Sequence, residues 1–307
     1  MPIRIPSDLP ARKALEGENI FIMTHERAFT QDIRPLEIAL LNLMPTKVTT
    51  ETQLSRLLGN TPLQVNLTLV QTESYKQTHT SEDHMLSFYT TFSQIKDCHF
   101  DGLVITGAPV EQLEYEEVEY WKELCEIMDW SQTHVHSTMH ICWAAQAALY
   151  HYYGIPKVKL EEKLFGLFKH KIVYKNPILL RGFDDEFYVP HSRHTTIDFN
   201  EVKAHKQIKI LASSKEAGLY AAITKNGKQI FITGHSEYDK DTLKNEYLRD
   251  KNLGLDIKLP KNYFPNDDYK EEPIMNWRAH ANLLFANWLN YFVYQTTPYE
   301  LDKVGEK

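Results

Sequence analysis

A chain of 307 residues with 42% apolar and 12% aromatic content can bury a full core and is long enough for one large α/β domain. Its formal net charge of -7 excludes the basic field that holds nucleic acid or an anionic membrane, so small molecules and a second copy of the chain, as a homodimer, are the expected partners. Cys98, Cys125 and Cys142 form no C-x-x-C pair, and neither a signal-peptide pattern nor an apolar run of about 18 residues is present, so a cytoplasmic protein in a reducing compartment is expected.

Residues 1–31 carry no sustained periodicity and read as an arm that docks on the body or on a partner subunit. The run LEIALLNLM from Leu36 is almost continuously apolar, as a strand buried on both faces requires, and Pro45 stops it. A helix is expected from Thr46 to Leu58 with Gly59 as its C′ residue. Next come a strand with alternating Leu63, Val65, Leu67 and Leu69, a helical segment over Met85 to Ile95, and the strand GLVITG ending at Gly107. A charged helix, Glu116 to Trp130, leads into the strand VHSTMHI. Such alternation specifies a flavodoxin-like, mostly parallel sheet with helices on both faces.

Beyond Gly154 the pattern turns antiparallel, with LYAAIT and QIFITG joined through Asn226-Gly227, a pair suited to positive φ. Ile274, Trp277, Ala281, Leu284, Trp288 and Phe292 recur at helical spacing and predict a long C-terminal helix with an aromatic core face. The organisation expected is therefore an arm over 1–34, one α/β domain over 35–301 and a tail over 302–307.

Cys142 lies where VHSTMHI meets a helix of good formers, Ala144 to Tyr153, closed by Gly154. At such a joint a sulfur is exposed by the turn, while the helix N-terminus favours thiolate and offers N–H groups to an oxyanion. A buried apolar cysteine is the ordinary alternative. The strand QIFITG runs into Gly234-His235-Ser236-Glu237, and residues two apart on extended chain share a side, so Glu237 can orient His235 while the imidazole reaches a neighbouring strand end. A polar surface turn would look the same in isolation. His134, His136, His140, His191 and His194 lack metal-ligand spacing, no phosphate-cradling glycine motif occurs, and no metal or cofactor is expected.

The segments LNLMPTK (41–47), TGAPVE (106–111), HICWAAQAALYHYYG (140–154), PHSRHT (190–195), GHSEYD (234–239), KNYFPNDD (261–268) and NWLNYFVYQTTPY (287–299) together resemble the MetA family of homoserine O-acyltransferases. The resemblance runs from about residue 1 to residue 301 and implies a fold like that of class I glutamine amidotransferases. It further implies Cys142 as acyl carrier, His235 as general base, Glu237 as its orienter, and Lys163, Ser192 and Arg249 as homoserine contacts. Lys47 is a candidate for helping an oxyanion, and Ala144 stands where close relatives often have glycine. Family members use acetyl or succinyl donors, and position 111 is associated with the choice. Glu111 would crowd and repel a succinyl carboxylate, so the resemblance points to acetyl-CoA as co-substrate and to O-acetyl-L-homoserine formation in methionine biosynthesis. A succinyltransferase and a glutamine amidotransferase-like hydrolase are the alternatives.

Overall fold

The computed structural model describes residues 3–6, 8–17, 22–23, 34–75 and 80–305; the rest of the 1–34 arm and the last two residues of the tail lie outside them. Among the described residues, twelve strands form one sheet: β1 (Ile3–Arg4), β2 (Ile22–Met23), β3 (Leu36–Leu41), β4 (Val65–Gln71), β5 (Tyr89–Thr91), β6 (Phe100–Ile105), β7 (Val135–Ile141), β8 (Lys157–Ile172), β9 (Glu186–Ile197), β10 (Ile208–Ser214), β11 (Gly218–Thr224) and β12 (Gln229–Ile232). Their order is β2-β1-β4-β3-β6-β7-β12-β11-β10-β8-β9, with β5 also on β4. All pairings from β2 to β12 are parallel, and all from β12 to β9 are antiparallel.

The helices are α1 (Ala11–Gly17), α2 (Lys47–Gly59), α3 (Glu82–Phe88), α4 (Phe92–Ile95), α5 (Trp121–His134), α6 (Trp143–Tyr153), α7 (Phe199–Ala204), α8 (Thr242–Asn252) and α9 (Arg278–Asn287). Central β3 buries Ile38, Ala39, Leu40 and Leu41 completely, and their side chains fall alternately into the cores on the two sheet faces. Its entry is clamped by Arg34, whose two Nη groups donate to the two oxygens of buried Asp101 at 2.9 Å each, while the Glu37 N–H donates to the same carboxylate at 2.7 Å. Ile5, Leu9, Ala11 and Leu15 of the arm enter the core on the α9 side of the sheet.

Several local expectations are corrected. Gly59 closes α2 from within, and the C-cap is Asn60 at φ -86°, so no left-handed residue ends this helix. The helical segment over Met85 to Ile95 is broken by β5, because Tyr89–Thr91 pair with Leu69–Gln71. Leu63 precedes β4, and the charged helix starts at Trp121. At the β11–β12 connection only Gly227 has positive φ (75°); Asn226 instead accepts from the Thr224 hydroxyl and the Lys228 N–H through its side chain. The C-terminal helix passes at Trp288 into a π-helical segment, Trp288–Tyr294, with the fully buried indole donating to Ser137 Oγ at 3.0 Å, while Ile274 lies outside it and exposed. In the tail, Val304 is buried.

Candidate active site

The parallel strands β6, β7 and β12 end side by side, and an open parallel sheet collects its chemistry at such carboxyl ends. Because β7 enters α6 with no loop between them, Cys142 alone must reverse the chain, and it does so at φ 52°, ψ -114°. A non-glycine residue in that region costs on the order of 1–3 kcal/mol. The neighbouring bonds hold the turn: the Cys142 N–H donates to Ile232 O at 2.7 Å, and Cys142 O accepts from the Ala145 and Gln146 N–H groups. The N–H groups of Trp143 and Ala144 are left without an intrahelical acceptor, as a helix start requires.

On the β6 side of Cys142, Gly107 leaves room: a Cβ there would fall 3.2 Å from Cys142 Cβ and 3.6 Å from His235 Cε1. On the β12 side, the chain passes through Gly234, where a Cβ would sit 2.5 Å from Val189 Cγ1, so only glycine lets the following residue approach. His235 is then fixed by its N–H on Pro190 O (2.9 Å), by Nδ1 against Glu237 Oε1 (2.7 Å), and by Tyr238, whose ring stacks 4.1 Å from the imidazole. With Nδ1 bound to the carboxylate, Nε2 is the nitrogen free to exchange a proton. Burial opposes the imidazolium, but the negative charges of Cys142 and Glu237 outweigh it and hold His235 well above the ordinary histidine range. Burial, together with Glu246, Glu237, Cys142 and Glu111, pushes the Tyr238 phenol up and keeps it neutral.

Lys163 on β8, Ser192 on β9 and Arg249 on α8 are brought together, through two acids that sequence reasoning missed. Glu246 Oε1 takes the Lys163 ammonium at 2.6 Å and the Ser192 hydroxyl at 2.7 Å; Arg249 donates from Nε to Asp250 Oδ1 at 2.7 Å and keeps most of its side chain exposed. The spacing of Glu246 to Arg249, one helical turn, was the available signal. Glu111 is clasped by β9: its carboxylate accepts from His194 N (2.8 Å), Thr195 N (3.2 Å) and Thr195 Oγ1 (3.1 Å).

Arg193, also missed, is fully buried. Its Nη groups donate to Thr195 O and Ala217 O, and its Nε to His191 Nδ1. Burial lowers its pKa to about 10, so it remains cationic, with Cys142 and Glu111 acting the other way. Lys47 is buried in the first turn of α2 with its ammonium on Asn42 O, and burial lowers it to about 7 against the pull of Glu51. His140 stacks on Phe231, neutral with a pKa lowered to about 4 by burial, and His191 stacks on His170.

In shape the chain is similar to a glutamine amidotransferase from Thermotoga maritima, with a TM-score of 0.53 at 11% identity over 84% of this chain and 98% of that one. A glutamine amidotransferase from Methylobacillus flagellatus gives 0.50 at 11% identity, over 84% and 95%. The fold is thus glutamine amidotransferase-like. The family model described as homoserine O-succinyltransferase matches residues 2–299, and the chain belongs to that family. Relatives named homoserine O-acetyltransferase from Clostridium acetobutylicum and Acetivibrio thermocellus are 60% and 59% identical, over 98% and 99% of this chain and all of each relative. One from Clostridium novyi is 61% identical over 98% of this chain and 99% of its own.

Proposed function

We propose that the protein is a homoserine O-acetyltransferase that works through an acyl-cysteine, forming O-acetyl-L-homoserine for methionine biosynthesis. The observation that carries the reading is end-to-end identity near 60% with relatives named for acetyl transfer. In the first half-reaction, the Cys142 thiolate attacks the acetyl thioester carbonyl, and the N–H groups of Trp143 and Ala144 receive the oxyanion. The carbon–sulfur bond to CoA breaks as His235 Nε2 gives its proton to the departing thiolate. Homoserine then binds against Lys163, Ser192 and Arg249. His235 removes the hydroxyl proton, the oxygen attacks the acetyl-Cys142 carbonyl, and the thiolate leaves. Glu237 supports the imidazolium in both directions.

The donor choice rests on Glu111, whose carboxylate against β9 would face a succinyl carboxylate with like charge in a poorly hydrated pocket, a repulsion of several kcal/mol. No resident cofactor is required by these steps. Three unpaired cysteines suit the cytoplasm, and a homodimer is the assembly we expect, to be checked by sedimentation.

Free CoA release with L-homoserine and either acetyl-CoA or succinyl-CoA tests the reading. Homoserine-dependent release from acetyl-CoA supports it. Preference for succinyl-CoA would keep the family and overturn the donor assignment, while ammonia release from glutamine with no CoA release would favour a hydrolase.

A further inference from the structure

A cleft of about 1430 Å³ opens beside the nucleophile. That is more than the few hundred to 1,000 Å³ or so that encloses a drug-sized ligand, and far more than an amino acid such as homoserine needs. Its inner end is walled by Thr106, Gly107, Ile141 and Glu237, so it closes on the two residues that abut Cys142. From there it follows α2, between that helix and the segment 236–249 with the start of α9. At 1.5 Å per residue, the ten steps from Thr46 to Arg56 make a run of about 15 Å, a length that suits an extended pantetheine arm.

Wall chemistry changes along this run. Met44, Leu54, Leu57, Met275 and Ala281 contribute apolar surface to the cleft. Where α2 ends against α9, the lining is polar and amide-rich: Arg56, Arg278, Asn60 and Asn282, with Asn60 Nδ2 donating to Asn282 Oδ1 at 2.8 Å, while Asp239 and Asp241 also line the cleft. Arg56 is already seated on Asp239 at 2.7 Å. Arg278 is exposed, its Nε rests on Met275 Sδ at 3.3 Å, and among the described residues it pairs with no carboxylate.

From this gradient we infer that the cleft is the binding site of the acyl-CoA donor, with the pantetheine arm along α2 and the phosphates at Arg278 and Arg56. The inference rests on the acyl-CoA reading above and adds the location and polarity of the donor site. Guanidinium groups suit phosphate because their planar forks donate in pairs. Glu246 and Arg249 also line the cleft, so donor and acceptor share its inner mouth. Sharing is compatible with a double displacement, in which CoA departs before homoserine enters.

The test compares Arg278→Ala and Arg278→Glu with the native enzyme, using acetyl-CoA and S-acetyl-N-acetylcysteamine, a thioester donor with no phosphate. We expect KM for acetyl-CoA to rise about tenfold in the alanine variant and further in the glutamate variant, the scale of a lost charge-assisted hydrogen bond. KM for homoserine, and kcat/KM for the truncated donor, should change less than twofold. Equal losses with both donors, or no change with either, would overturn the site; a rise confined to homoserine KM would assign the cleft to the acceptor instead. Native enzyme that releases no CoA from acetyl-CoA would bring down the acyltransferase reading itself, a result independent of either variant.

Discussion

The Lys163 ammonium and the Ser192 hydroxyl meet on one oxygen of Glu246, at 2.6 and 2.7 Å, although they come from adjacent antiparallel strands and the carboxylate from a helix. A carboxylate shared in this way holds both donors in place before a substrate arrives. Replacing Glu246 with Gln would leave Lys163 with one close acid, Asp250 at 3.5 Å, and should raise KM for homoserine by roughly tenfold or more. Rapid-quench measurement of the CoA burst from acetyl-CoA should show the first half-reaction nearly unchanged; a lost burst would assign Glu246 to the donor step.

The backbone of Cys142 leads to a paired prediction. Cys142→Ala and Cys142→Gly should both abolish the CoA burst, but glycine accepts φ 52° without the Cβ clash. The glycine variant should therefore unfold at a higher temperature than the alanine variant, since relief of about 1–3 kcal/mol of strain exceeds the roughly 0.5–1 kcal/mol of chain entropy that glycine costs. Residual acyl transfer in either variant would remove Cys142 from the role of nucleophile.

His235 links activity and stability to pH. Its pKa is raised in the fold, so its contribution to stability is complete below the ordinary histidine value of about 6.5 and is lost as pH climbs through the folded value. The imidazolium of His235 is depleted over that same rise, which should give the alkaline limb of kcat/KM for acetyl-CoA. Glu237→Gln removes one of the two charges that hold the pKa up, and the alkaline limb should move to lower pH. A profile that only scales down, with its limb unmoved, would make Glu237 a structural residue.

Glu111→Gly tests the donor assignment. Removing the carboxylate strips the His194 and Thr195 N–H groups of their acceptor, at a cost of about 1–3 kcal/mol in stability. The same change should raise kcat/KM for succinyl-CoA at least tenfold relative to acetyl-CoA. An unchanged ratio would show that donor choice lies elsewhere.

The alternation of apolar runs and helical segments up to Ile141 was enough to specify a parallel sheet, because strands buried on both faces leave a continuous apolar trace. The strand Val135–Ile141, the helix behind it and its Gly154 cap were legible for the same local reason. His235 and Glu237 could be paired from the sequence since two residues apart on extended chain share a side. The tertiary structure decided what no local pattern encodes. It broke the segment over Met85 to Ile95 with a strand, because β4 offered Tyr89–Thr91 a hydrogen-bonding edge. It also brought Glu246, on the helix Thr242–Asn252, and Arg193, within the strand Glu186–Ile197, to the site. Neighbour relations across a sheet depend on strand order, and strand order is settled only when the whole chain has packed.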